Sequence, residues 1–414
     1  MKRIVSLLIV VTIFLSACNG ATYELLSGNI SPIEAEALSH DETTTLVPAV
    51  ADFTVDIFQR SFAENAEANI LVSPLSVLIA LAMTANGADS ETLTEMEAVL
   101  GRGIDLADLN RLLSGFVNNL PSKDRAKLNI ANSIWIRDCE GLHVEEEFLR
   151  VNRSYYAAQI MSAAFDQNTV DDINAWVSQN TDDMITGIMD EIHPMAVMFL
   201  INAIVFDAEW AVPYEEHQVR DYTFTSFDGR SQTTDFMWST ESYFIESENA
   251  VGFLKPYFGR HYSFAAILPN DDVDIADFIT EMTGENLMNT LHSAHRHAWG
   301  VQAGLPKFTF EYEINMSNLL SNMGMPSAFG EVSADFSQLG QSGMGNLFIN
   351  RVLHKTFIAV DEVGTRAAAI TLCEMVDGEP EYVFVTLDRP FIFAIIDHTT
   401  NLPIFIGALL EIPE

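Results

Sequence analysis

His354-Lys-Thr-Phe-Ile-Ala-Val-Asp-Glu-Val-Gly-Thr-Arg-Ala-Ala-Ala-Ile-Thr371 is the stretch on which the reading of this chain turns. It opens with an apolar run that includes Phe357, Ile358 and Val360 and passes through Gly364. The small residues Thr365, Ala367, Ala368 and Ala369 come next, before β-branches return at Ile370 and Thr371. Gly364 supplies a pivot because it carries no Cβ, and the small side chains after it can slide between existing strands. Local propensity offers a second reading, a helix capped by Thr365 with three alanines following. The rest of the chain decides between them.

Apolar residues at helical spacing mark Phe53-Ile57-Phe58, Leu75-Leu78-Ile79-Ala82-Met83 and Leu109-Leu112-Leu113-Phe116 as helices. Another amphipathic helix, carrying Trp176 and Ile185, is expected between Ile173 and Ile188. Residues 196–206 form an almost unbroken apolar run, which suits a central strand covered on both faces. Tyr222-Thr-Phe224, Tyr243-Phe-Ile245, Phe264-Ala-Ala-Ile-Leu268 and Phe308-Thr-Phe310 read as further strands. The 354–371 stretch therefore has strands to join.

Taken with its surroundings, that stretch resembles the reactive-loop hinge of the serpins, and the resemblance runs from about Phe53 to Ile412. It is carried by Asn69-Ile-Leu-Val-Ser-Pro-Leu-Ser76, Thr92-Leu-Thr-Glu-Met-Glu-Ala-Val-Leu100, and Asn202-Ala-Ile-Val-Phe206 with Trp210. Leu305-Pro-Lys-Phe308, the segment from Gly324-Met325 to Ala334-Asp-Phe336, and Asp388-Arg-Pro-Phe391 to Ile406-Gly407 complete the order. The resemblance implies an α+β serpin fold: a large central mixed β-sheet, two smaller sheets, about eight to nine helices and an exposed reactive-centre loop at about 362–385. Tyr382 to Leu387 and Phe391 to Ile396 resemble the barrel-like sheet that closes that fold.

Composition agrees. A chain of 414 residues, 48% hydrophobic, can bury one large core, expected over 49–414. The net charge of -37 repels phosphate backbones and anionic lipid surfaces, which excludes nucleic acid as a partner. Residues 102–127 hold only scattered cations among Asp105, Asp108 and Asp124, so no heparin-type cofactor is expected either.

The N-terminus points to an export route. Lys2 and Arg3 precede an apolar run from Ile4 to Leu15, too short to span a bilayer and suited to a signal peptide over residues 1–17. Leu15-Ser-Ala-Cys18 resembles the bacterial lipobox, which implies acylation of Cys18 and a membrane or cell-surface anchor facing outward. The alternative is an ordinary secretory signal cleaved after Ala17. Residues 18–48 are polar and poorly periodic, and read as a flexible tether. With Cys18 lipidated, Cys139 and Cys373 remain, and nothing suggests a disulfide framework. Cys139 reads as a structural thiol after a strand end; Cys373 falls in the expected exposed loop with no basic neighbour to activate it.

Enzyme signatures are missing: there is no Gly-x-Ser-x-Gly elbow, no His-Glu-x-x-His and no Gly-rich phosphate loop ending in Lys-Ser/Thr. His292, His295 and His297 invite a metal reading, but offsets of three and five do not share one helical face, and a solvated helix end is expected. Asn152-Arg-Ser154 and Asn315-Met-Ser317 match a glycosylation sequon, which the bacterial lipobox makes irrelevant.

The resemblance implies a suicide-type protease inhibitor, not an enzyme: a monomer that needs no cofactor and forms a covalent complex with its target. The target attacks the loop, forms the acyl-enzyme and is dragged across the body as the freed loop inserts as a new strand. The hinge, Glu362 and Gly364 to Ala369, must suit that insertion. Gly364 pivots, Thr365 is small and uncharged, and Arg366 alternates to the solvent side. Ile370 is bulkier than the usual residue, which slows insertion and diverts molecules to simple cleavage. By the same resemblance Ser73, Ser76, Asn202 and His354 form the polar cluster beneath the point where the sheet opens. Glu362 and Lys307 form the ion pair at the top of the sheet, beside Trp210.

Counting forward from Gly364 by the family's spacing ends at Gly378, and counting back from Pro390 ends at Glu379, so the candidate bonds follow Val376, Asp377, Gly378 or Glu379. No Lys or Arg lies between Arg366 and Arg389, which disfavours a trypsin-like target. Elastase- or subtilisin-like enzymes, acid-preferring proteases and papain-like cysteine proteases stay open. Two rival readings predict no covalent trap: a serpin-fold binding protein, suggested by Arg366 and Ile370, and a ligand-binding lipoprotein using the histidine cluster.

Overall fold

In the computed structural model the described residues are 22–26, 31–33, 35–123, 125–343, 345–364 and 382–413. They contain ten α-helices: α1 His40–Glu64, α2 Pro74–Ala85, α3 Ser90–Leu100, α4 Leu106–Asn118, α5 Glu146–Tyr156, α6 Gln167–Asn180, α7 Ile275–Thr280, α8 Gly284–His292, α9 Ser317–Asn322 and α10 Pro326–Phe329. The strands run β1 Glu24–Leu25, β2 Ile70–Val72, β3 Ala126–Arg137, β4 Leu142–Val144, β5 Gln159–Ala163, β6 Met198–Ala208, β7 Val219–Thr225, β8 Ser231–Glu246 and β9 Ala250–Pro256. They continue with β10 Tyr262–Pro269, β11 His295–Pro306, β12 Phe308–Asn315, β13 Gly340–Ser342, β14 Leu353–Val360, β15 Val383–Thr386, β16 Phe391–Asp397 and β17 Pro403–Leu409.

Nine of these strands form one network in the order β15-β11-β8-β9-β10-β16-β17-β2, with β7 on β8. The long strand β8 joins its two parts, pairing with β7 at 231–237, with β9 at 243–246 and with β11 over 236–244. Every residue of β16 and β17 is buried, so these strands read as unbroken apolar runs. β15 and β16, adjacent in sequence, do not pair with each other: β15 lies parallel to β11 at one edge, while β16 sits between β10 and β17.

A second sheet runs β1-β5-β3-β6, mixed because β3 is parallel to β5 and antiparallel to β6. β12 and β14 form an antiparallel pair of their own. The sheet that the sequence leads one to expect as central is thus divided between β6 and β14. The described residues hold ten helices, more than expected, because short ones such as α7, α9 and α10 carry little periodic signal.

Three expectations are corrected. The tether does not extend to residue 48: α1 begins at His40 behind a capping box in which Ser39 and Glu42 satisfy each other's backbone amides. Thr43, Thr44 and Thr45, read as tether, turn their hydroxyls back to the carbonyls of Ser39, His40 and Asp41. Further upstream, β1 adds to the free edge of β5, and the Tyr23 ring stands edge-on to Trp135 at 5.1 Å. The second correction concerns the 173–188 helix, which ends at Asn180, leaving Ile185 in the following segment. Third, of the histidine cluster only His292 ends a helix, while His295 and His297 open β11 and stand edge-on to Phe244. Among the described residues no group of three or more potential ligands could hold a metal.

Candidate functional site

The break in the second sheet is the dominant feature of the molecule. β6 is zipped to β3 through eleven registered pairs, from Met198 opposite Ile136 to Ala208 opposite Ala126, and pairs with no other strand among the described residues. β14 is zipped to β12 through eight pairs and likewise to nothing else. Between the two lies a cavity of about 430 Å³ bordered by Phe199, Ile201 and Ala203 on one lip and by Leu353 and His354 on the other. Val177, Ile185 and Met189 also line it. A narrower opening continues along Ile204–Phe206 and Phe357–Ala359. Two unpaired strand edges flanking an apolar slot form a template for another strand.

At one end the lips are joined. The chain leaves β14 and lays Asp361–Gly364 against the end of β6, where Gly364 bridges Glu209 and the Trp210 amide donates to Val363 O at 3.0 Å. The Trp210 indole donates to Asp361 O at 2.9 Å, and the Tyr214 amide to Glu362 O at 2.7 Å. Gly364 has φ +121°, and a Cβ there would lie 2.4 Å from Trp210 N and 2.5 Å from Ala208 O. Only glycine fits this crossing. Lys307 holds Glu362 at 2.7 Å and lies 3.8 Å from Asp235. Burial pushes the Glu362 carboxyl up, but the Lys307 hydrogen bond and charge, with its own backbone amide, bring it below the usual range.

Deeper in the slot, Ser73, Ser76 and His354 come together. The Ser73 amide donates to His354 Nε2 at 3.1 Å, Ser73 Oγ donates to Ile404 O at 2.9 Å, and the Ser76 amide donates to Ser73 Oγ at 3.4 Å. Ser73 also caps α2, whose first residue is Pro74, so the Ser-Pro pair fixes the cluster and the helix start together. His354 is buried with no charged partner among the described residues, and desolvation lowers its pKa to about 4, keeping it a neutral acceptor.

Asn202 stands on the other lip. Its amide donates to Asn132 Oδ1 at 2.7 Å, and its own Oδ1 is buried without a hydrogen-bond partner among the described residues. The structure therefore assembles three members of the expected cluster and separates the fourth.

Trp210, Lys307, Glu362 and Gly364 gather at the hinge. Thr365, Arg366, Ala367, Ala368, Ala369, the bond candidates Val376, Asp377, Gly378 and Glu379, and Cys18 lie outside the described residues.

Sequence reasoning missed a buried ion pair under the hinge. Lys255 Nζ meets Glu241 Oε1 at 2.8 Å, with side chains only 3% and 9% exposed, and sits 4.0 Å from the Tyr214 ring centroid. Ser239 Oγ donates to the same carboxylate at 2.6 Å. Burial works against the Lys255 charge, but Glu241 and Tyr214 outweigh it and hold its pKa above that of a free lysine. The signal was present: Lys255 is the single charge in Ala250–Pro256, a strand otherwise apolar.

A divided sheet with a glycine hinge at one end and a buried polar cluster beneath defines a protein built to take up an added strand. The chain belongs to the serpin family: the family profile, serpin (serine protease inhibitor), matches residues 48–412. Human neuroserpin is 27% identical over 382 residues, covering 88% of this chain and 91% of the relative. A serpin-like protein of Thermococcus kodakarensis is 27% identical across 99% of both chains. The thermophilic serpin tengpin in its native state superimposes with a TM-score of 0.87 at 44% identity, covering 94% of this chain and all of that one. Tengpin in its latent state gives 0.81 at 46% identity, covering 91% of this chain and all of that one.

Proposed function

We propose that the protein is a suicide-type inhibitor of elastase- or subtilisin-like serine proteases. The observation that carries this reading is the slot between β6 and β14, which ends at the hinge from which residues 365–381 depart. The target's serine attacks a carbonyl between Val376 and Glu379; the peptide bond breaks, the new amino terminus leaves with the C-terminal fragment, and the hinge side stays attached as an ester. The freed segment turns back at Gly364 and enters beside β14, satisfying both idle edges. Each backbone hydrogen bond gained is worth about 1 kcal/mol net. Displacement of the tethered protease halts deacylation, so each inhibitor molecule is consumed with its target.

The closer likeness to tengpin in the native than in the latent state supports a slot ready for use. The absence of Lys and Arg between Arg366 and Arg389 sets the target class apart from trypsin-like enzymes. The resemblance of Leu15-Ser-Ala-Cys18 to a lipobox supports a lipoprotein on the outer side of a bacterial membrane, the alternative being a secreted protein.

The test mixes the purified protein with neutrophil elastase, subtilisin, trypsin and a Glu-specific protease, followed by denaturing gels and intact mass. A denaturant-stable complex at the summed mass with release of a C-terminal peptide is expected from elastase or subtilisin. Clean loop cleavage without a complex from every protease refutes trapping and leaves the serpin-fold binding role.

A further inference from the structure

We propose that the outer face of the four strands β7, β8, β11 and β15 is a docking surface for the target protease, with Tyr222, Trp238 and Phe384 as apolar anchors and Arg220 as a polar one. This rests on the protease-trapping reading above. Strand register puts these side chains on one face. Arg220 is opposite Phe236 and Tyr222 opposite Thr234, two and four residues from Trp238 on β8. Gly304 is opposite both Trp238 and Thr386, and Gln302 opposite both Thr240 and Phe384.

The Tyr222 and Trp238 rings meet edge to face at 5.4 Å, and the Arg220 guanidinium lies 4.4 Å above the Trp238 ring. Gly304 leaves room for that indole, since a Cβ there would lie 3.0 Å from it. At the far edge Phe384 is 71% exposed, the most exposed aromatic side chain among the described residues, and Tyr222 is 41% exposed. Trp, Tyr and Arg are the residues that carry most binding energy at protein interfaces. Such a cluster, exposed at Tyr222 and Phe384 and partly buried at Trp238, is unusual on a chain of net charge -37.

The occupant follows from where the chain ends. The described chain resumes at Tyr382, immediately before β15. The candidate bonds lie three to six residues upstream of Tyr382, within about 11 to 21 Å of extended chain. A protease domain of about 230 residues has a radius of gyration of about 17 Å. An enzyme engaged at any of those bonds is therefore within reach of this face.

The test uses the full-length protein and neutrophil elastase, comparing wild type with Phe384→Ser, Tyr222→Ser and Arg220→Ala. Arg220 and Tyr222 lie outside the hinge and loop, Phe384 stands on β15 although the loop was expected to reach 385, and thermal unfolding verifies that each variant is folded. The second-order rate of complex formation is expected to fall about fivefold or more in each, with an unchanged ratio of complex to cleaved inhibitor. Rates within twofold of wild type in all three, with the complex still forming, overturn the docking surface alone. Failure of the wild type to form any complex overturns the trapping reading and this inference with it.

Discussion

Asn202 and His354 stand on opposite lips of one cavity and share no hydrogen bond: His354 Nε2 is occupied by the Ser73 amide, while Asn202 Oδ1 is buried and has no hydrogen-bond partner among the described residues. A buried orphan acceptor costs about 1–3 kcal/mol. The division of the sheet is thus held against a local polar penalty, and a strand entering the slot brings the amide donors that would relieve it.

Stability should depend on pH through His354. Its folded pKa, about 4, lies below the ordinary 6.5. The stabilisation is therefore fully present above about 6.5 and is lost as pH falls toward 4, because the unfolded chain takes up a proton that the folded one refuses. The shift corresponds to about 3 kcal/mol at most. Urea unfolding between pH 7 and 4.5 should show the loss in the wild type. In His354→Asn, which cannot titrate, the slope over this window should be smaller; an equal slope would assign the dependence to other groups. Asp335, held low by Ser337 and Ser90, loses its contribution only at more acid pH.

Gly364→Val should destabilise the native state by about 1–3 kcal/mol, because the left-handed φ strains a β-branched residue and the Cβ meets the backbone at Ala208–Trp210. Thermal unfolding measures this. Proteolysis at Asp361–Gly364 should also accelerate as the segment is pushed off β6.

Lys255→Met should cost about 3–5 kcal/mol by leaving the Glu241 carboxylate buried and unpaired. The double variant Lys255→Met with Glu241→Gln should recover most of that loss. If it does not, the lysine's packing against Tyr214 rather than its charge carries the stability.

Tyr23→Ala should lower stability by about 1–2 kcal/mol, since the ring covers fully buried Trp135 and the aromatic pair adds to plain burial. A free tether would give no change. Near-ultraviolet circular dichroism should register the altered surroundings of Trp135.

Much of the site could be read from residues alone, for reasons specific to each. The apolar run before Asn202 and the β-branched run after His354 announced β6 and β14. Ser73-Pro74 announced a helix start, and Gly364 a turn that no other residue makes. Lys307 and Glu362 could be paired in advance only through the family resemblance, since the β12–β14 pairing that brings them together spans 55 residues of chain. Lys255 was passed over in an apolar stretch and Glu241 in the polar run Ser239-Thr-Glu-Ser242, because only the pairing of β8 with β9 brings the two together. The upstream segment was misjudged because a polar, β-branched stretch has low helix propensity, and the capping box with tertiary packing overrides it.

The sequence by itself determined the local elements, the hinge chemistry and the charge of the molecule, because periodicity, steric freedom at glycine and formal charge are properties of short stretches. The division of the sheet, the separation of Asn202 from His354 and the burial of Lys255 against Glu241 were decided only by tertiary structure. Whether β6 and β14 touch depends on the packing of α2, α6 and the 345–352 segment around both, and that balance is a sum over distant contacts that no local pattern encodes.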